Sequence, residues 1–172
     1  PQEFLHELQA AVYRHPNVYG GQCDIPKDIT GIVSVSAGYS QSYALRSDGT
    51  VIGWGAIEPD TRSVLANLTS VSAISPGYSY TLALKSDGTI VTGGYFGCKI
   101  PENLKNNATA ISAGAQHCIV LKQDGTIAAG GDNTYGEGLA PGVPTRIMAL
   151  STSYAGDQVF GNYYDHTLAL RT

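Results

Sequence analysis

Few residues in this chain could do covalent or metal chemistry, and their spacing decides how they read. The 172-residue sequence holds four histidines, three cysteines and fourteen carboxylates. His6 and His15 sit in a segment of helical periodicity, far along the chain from His117 and His166. Cys23 and Cys98 each open a Cys-x-Ile-Pro tetrapeptide, and Cys118 follows His117 inside an apolar run. An odd cysteine count with no Cys-x-x-Cys pair indicates neither a zinc knuckle nor a disulfide framework, so small buried thiols are expected. Asp48, Asp87 and Asp124 each precede a glycine and read as turn residues. Asp24, Asp28, Glu58 and Asp60 are scattered, and no carboxylate pair suited to hydrolysis can be argued. There is no Gly-x-Ser-x-Gly elbow and no phosphate-binding glycine loop. The expectation is a chain without a catalytic site, metal or cofactor, so a hydrolase or lyase reading has no constellation behind it.

One stretch has the composition of a contact surface. Residues 152–165 (TSYAGDQVFGNYYD) place Tyr154, Phe160, Tyr163 and Tyr164 beside Asp157, Asn162 and Asp165. Aromatic rings with adaptable polar neighbours bind well, and loops held on a rigid scaffold carry binding. These seven residues are the candidate binding set, for a protein or glycan partner. A second role stays open, in which the same stretch caps an unpaired strand edge.

The elements that position this stretch are repeats. Residues 33–55 (VSVSAGYSQSYALRSDGTVIGWG), 71–94 and 110–131 share one order: an alternating run ending in glycine, a second run, an Asp-Gly turn and a third run. Successive Asp-Gly turns are 39 and 37 residues apart. Leu45, Leu84 and Leu121 keep the same spacings, as do Gly38, Gly77 and Gly114. Period-two alternation predicts strands, and Asp-Gly between two such runs predicts a hairpin with a primed turn in which both residues take positive φ. Three-stranded antiparallel units at a period near 40 predict the blades of a β-propeller. A fourth unit begins at residues 147–151 and resumes at residues 166–171. From Ser112 to His117 is 5 residues, whereas Ser151 to His166 spans 15, so the aromatic stretch is an insertion in this last unit.

The order Gly-x-x-His-Thr-Leu-Ala-Leu-Lys-x-Asp-Gly-Thr-Val, followed by Trp-Gly, resembles the repeat of the regulator of chromosome condensation family. It is met at residues 38–51 with Trp54-Gly55, at 77–90 with Gly93-Gly94, at 114–127 with Gly130-Gly131, and at 166–170. The connectors at 17–26 (NVYGGQCDIP), 95–101 (YFGCKIP) and 133–137 (NTYGE) fit as well. The resemblance implies a propeller, in that family usually seven-bladed, and spans functions from nucleotide exchange to chromatin binding and β-lactamase inhibition. It assigns the histidine of the motif a structural hydrogen-bonding role. Here that position is held in turn by Gln41, Tyr80, His117 and His166. Trp54 is the only motif tryptophan present.

The fold class expected is therefore all-β: about three and a half three- or four-stranded blades over residues 17–172, preceded by one amphipathic helix over residues 1–16. Phe4, Leu5, Leu8, Ala11 and Val12 give that helix its apolar face, and Pro16 ends it. Three and a half blades leave a sheet face uncovered, which natural proteins avoid. The ring is expected to be completed by further chain, the sequence starting at Pro1 without an initiator Met, or by a homo-oligomer. A net charge of −4 gives no basic stripe, so nucleic acid is a poor partner. No run approaches the roughly 18 apolar residues of a membrane span, and no membrane insertion is expected. With 14% charged residues, 21 glycines and 11 tyrosines, the surface suits a soluble extracellular or virion-surface module. Two functions follow: an interaction propeller using residues 152–165 and the connector tyrosines Tyr19, Tyr95 and Tyr135, or a structural or adhesive component of a multimeric assembly such as a virion fibre, tail or decoration protein.

Overall fold

The computed structural model describes residues 20–94, 98–102 and 105–132, and beyond these the strands at 147–153, 156–157, 162–163 and 166–171. The helix expected over residues 1–16 lies outside the described residues, as do Tyr19, Tyr95 and Tyr135. Three units each fold into an antiparallel three-stranded sheet. The first contains β1 (Ile32–Ala37), β2 (Gln41–Arg46) and β3 (Val51–Gly55), and a short helix α1 (Pro59–Ala66) follows it. The second contains β4 (Val71–Pro76), β5 (Tyr80–Lys85) and β6 (Ile90–Gly94). The third contains β7 (Ala108–Ala113), β8 (His117–Lys122) and β9 (Ile127–Gly131). In the fourth unit β10 (Ile147–Ser153) pairs with β13 (His166–Arg171), and β11 (Gly156–Asp157) pairs with β12 (Asn162–Tyr163) between them.

Alternation places large side chains of each middle strand toward the following blade. Tyr43 packs with Ile74 of the second blade and Leu65 of α1, while Leu45 meets Val71 and Ala83. Tyr80, Leu82 and Leu84 form the next seam with Ile100, Ala108, Cys118 and Val120. Leu82 and Ile119 are 0% and 1% exposed, and such burial stabilises by roughly 1.5–3 kcal/mol per side chain. Each first strand carries a β-bulge one residue from its start, at Ile32/Ser34, Val71/Ala73, Ala108/Ala110 and Ile147/Ala149. A bulge increases local twist, so its recurrence gives every blade the same entry.

The turns correct the sequence expectation. Gly49, Gly88 and Gly125 take positive φ (78°, 83° and 82°), but the aspartates before them do not. Gly49 N–H donates to Arg46 O at 3.0 Å and Arg46 N–H to Thr50 O at 2.9 Å. This is a type I turn closed by a left-handed glycine, the longer hairpin connection, and not a primed two-residue turn. The aspartate accepts from the second residue beyond it: Thr50, Thr89 and Thr126 N–H each lie 2.9 Å from the carboxylate.

The cysteines also correct the expectation. Cys98 and Cys118 are joined by a disulfide, Cα–Cα 5.6 Å, and only Cys23 is a free thiol. Cys23 and Cys98 occupy equivalent connectors, but Cys98 pairs with a strand residue instead. The connector of residues 98–100 lies over the outer part of the third blade, where Cys118 is the cross-strand neighbour of Gly130. A Cβ on Gly130 would meet Cys98 Sγ at 2.7 Å, so the missing side chain makes the room the bridge occupies.

Helix α1 was not legible as an element, yet its signals are present. Pro59 suits a first turn, Asp60 favours the helix N-terminus, and Thr61 and Leu65, four apart, are its buried face.

Candidate binding end of the blades

The topology decides which loops meet. β1 enters β2 through Tyr39 and Ser40, the Asp-Gly turn lies at the opposite end, and β3 returns to the first end. The loops after each first strand therefore share one end with the starts of the connectors. Ala56 N–H donates to Ser40 O at 2.8 Å, and Asp132 N–H to Gln116 O at 3.0 Å, tying connector to loop. In the fourth blade the insertion sits between β10 and β13, at this same end, and folds back as the ribbon β11–β12.

That ribbon brings part of the candidate set together. Asp157 faces Asn162 across it, and Gly156 faces Tyr163. Tyr154, Phe160, Tyr164 and Asp165 lie outside the described residues.

Two residues that sequence reasoning passed over belong to this end. The rings of Tyr39 and Tyr78 sit 4.7 Å apart at 42°, and Tyr39 is 42% exposed. The Gly-Tyr-Ser triplet at 38–40 and again at 77–79 was the signal. Both rings line a hollow of about 190 Å³ with Gly38, Gly77, Gly114 and Thr152. A wider groove of about 1100 Å³ runs from Tyr78 past Lys99, Glu102 and Gln116 to Asp132. Its walls mix both signs of charge, which favours a neutral polar or mixed-charge ligand over a polyanion.

Buried polar side chains tie the blades together at this end. Gln41 Nε2 donates to Gly77 O at 3.0 Å, and the Tyr80 hydroxyl donates to His117 O at 2.6 Å. Each reaches from one blade into the loop end of the next. Gln41, Tyr80 and His117 are 4%, 1% and 1% exposed, so the motif position is a seam residue in blades one and two. The Tyr43 hydroxyl, 2.9 Å from Thr81 Oγ1, makes a third tie. Burial raises the Tyr43 pKa, opposed by the Thr81 hydrogen bond and the Arg62 charge, and the phenol stays neutral.

The turn aspartates stand at the opposite end. The Thr50 and Thr126 hydroxyls hold Asp48 and Asp124 below the ordinary carboxylate range, and the Thr89 N–H does the same for Asp87. Each carboxylate is taken up by its own turn. Among the described residues no three His, Cys, Asp or Glu side chains form a metal-binding group, and no helix is long and apolar enough to cross a membrane.

With this geometry in place, the chain can be set against known proteins. The family described as "Regulator of chromosome condensation (RCC1) repeat" matches residues 32–56 and 108–137. No curated protein sequence matches the chain. Among solved structures, the ectodomain of the Arabidopsis thaliana receptor kinase ACR4 is similar at a TM-score of 0.57 and 20% identity, over 71% of this chain and 44% of that one. Prp20p of Saccharomyces cerevisiae, whose structure was described with its binding to Gsp1p and histones, is similar at 0.56 and 20%, over 78% and 44%. The C-terminal domain of gp131 from bacteriophage phiKZ is similar at 0.50 and 16%, over 68% and 40%. The chain spans under half the length of each. These likenesses establish the fold as an all-β propeller type.

Proposed function

We propose, from the premise that this chain carries regulator of chromosome condensation repeats on a propeller fold, that it is a non-enzymatic interaction module. It holds a protein or glycan at the loop end of its blades. The observation that carries the reading is the gathering there of the paired rings of Tyr39 and Tyr78, the groove beside them and the β11–β12 ribbon. Tyr154, Asp157, Phe160, Asn162, Tyr163, Tyr164 and Asp165 supply the rest of the surface. Partner binding by Prp20p supports the reading by analogy of fold alone.

The Cys98–Cys118 bridge favours an oxidising compartment, and so an extracellular or virion-surface setting. The test is binding of purified chain to arrays of defined glycans and of surface proteins. Signals lost in both Tyr154→Ala and Tyr163→Ala, with the melting temperature unchanged, are the expected result. Signals kept in both variants would move the site elsewhere.

A second reading, a structural or adhesive component of a multimeric assembly, is favoured by one observation. The first strand of the first blade leaves Val33 and Val35 60% and 37% exposed.

A further inference from the structure

The loops that join first to middle strands close alike in the first three blades, but their tips differ. Gly38 N–H donates to Gln41 O, Gly77 N–H to Tyr80 O and Gly114 N–H to His117 O, each at 2.8 Å. Each closure holds two residues at the tip of its loop. In the first two blades these are Tyr39-Ser40 and Tyr78-Ser79, whereas the third has Ala115-Gln116, with Ala115 1% exposed. The third loop shows that closure needs neither the ring nor the hydroxyl, so the fold of the loop does not account for the Tyr-Ser tips. Gln41 locks the first two loops to each other. Its Nε2 donates to Gly77 O at 3.0 Å, while its Oε1 accepts from the Ser40 N–H and hydroxyl, each at 3.3 Å.

Between these two tips and the start of α1 lies a hollow of about 140 Å³. Tyr39, Tyr78, Ser40, Ser79 and Glu58 line it, and among the described residues the only aliphatic side chains on its wall are those of Ala56 and Ile57. Two of its polar groups have no task in the fold. Glu58 precedes α1 without making a side-chain cap bond to it, and among the described residues neither its carboxylate nor the Ser79 hydroxyl has a partner. The walls also select by charge. An anion would be repelled by Glu58, and a cation by Arg62, one turn further along α1, whose charge acts on Tyr43 of the same wall. The two charges oppose each other at the hollow, which leaves a neutral ligand as the best fit. A protein side chain would anchor in a desolvated apolar pocket, and two aliphatic groups do not make one. A sugar ring has C–H faces that pack on an aromatic ring and hydroxyls that donate to a carboxylate or exchange bonds with serine. The hollow is less than half of the ~300 Å³ at which drug-sized pockets begin, which is room for a single ring.

We infer that the hollow between the first and second blades binds one neutral sugar ring of a glycan, packed on Tyr39 and Tyr78 with its hydroxyls on Glu58, Ser40 and Ser79. The inference rests on the interaction reading above and takes the glycan in preference to the protein. Tyr39, 42% exposed, supplies the accessible ring, and Tyr78 supports it from 4.7 Å. A hydroxyl donating to an ionised carboxylate makes a stronger bond than a neutral pair, so Glu58 fixes the orientation of the sugar. Because Gln41 already joins the two loops, little ordering is left to the ligand.

The test is binding of the purified chain to immobilised glycans ending in neutral hexoses, N-acetylhexosamines, sialic acid or glucosamine, with an array of surface proteins beside them. Binding to the neutral endings is expected, and it should hold when salt is raised, since no ion pair carries it. It should fall at least about tenfold in Tyr39→Ala and in Glu58→Gln, with the melting temperature of each kept. Ser79→Ala is expected to weaken it about threefold. Glycan binding that is indifferent to Tyr39→Ala and Glu58→Gln, or confined to sialic acid or glucosamine endings, overturns this inference while the interaction reading stands. Binding found on the protein array alone does the same. No binding on either array overturns both.

Discussion

The second and third blades solve the same packing problem with different materials. At the place where the first blade keeps Trp54, the second has Gly93 and the third has Gly130. The space over Gly93 is filled by helix α1, whose Thr61 Cα would lie 2.9 Å from a Cβ there. Over Gly130 it is filled by Cys98 and the carbonyl of Lys99, at 2.7 and 3.0 Å from such a Cβ. Over Trp54 the connector passes at Gln22, bonded to the indole itself. A repeat position fails to keep its residue where the connector that crosses it takes over the volume. The second blade is closed by a helix held through Leu65, and the third by a covalent bridge.

This contrast can be broken at both places. Gly130→Trp restores the motif residue but drives an indole into backbone and sulfur. It is expected to destabilise by about 3 kcal/mol or more, read as a fall in the denaturant midpoint. Gly93→Trp meets the backbone of α1 and is expected to cost a similar amount, so a harmless tryptophan at either place would undo the account. The two solutions separate on reduction. Breaking Cys98–Cys118, which spans 20 residues, is expected to remove about 3 kcal/mol. Cys98→Ser should match the reduced protein and no longer respond to reductant, and Gly93→Trp should respond to reductant as wild type does. The smallest effect concerns the seams. Tyr80→Phe removes the 2.6 Å bond to the buried His117 carbonyl, which keeps the Gly114 N–H at 2.8 Å, and is expected to cost about 0.5–1.5 kcal/mol. Tyr43→Phe leaves Thr81 Oγ1, which can turn to another partner, and should cost less.

Much of the fold could be read from the chain because its signals are local. Alternation at Tyr43 and Leu45 marks a strand, and Asp48-Gly49 marks a hairpin, with no knowledge of anything distant. The turn type was misread because the φ of Asp48 depends on how many residues the loop spends, and Asp-Gly occurs in both classes. The disulfide escaped for a different reason. Cys23 and Cys98 match as repeat positions, which hid the fact that the connector carrying Cys98 leads onto Cys118 of the next strand set. Helix α1 escaped because eight residues with two buried side chains make a weak pattern. At the loop end, the composition of the insertion drew attention to Asp157, Asn162 and Tyr163, and their pairing in a ribbon is a backbone fact. Tyr39 and Tyr78, 39 residues apart in sequence, became a pair only when two blades were stacked.

By itself the sequence determined the repeat, its strands and the places of its turns, because each rests on side chains a few residues apart. The tertiary structure alone decided what fills the space over Gly93 and Gly130, which cysteines meet, and which face of β1 is left to water. Those depend on volumes and distances between segments that are remote along the chain, and no local pattern encodes them.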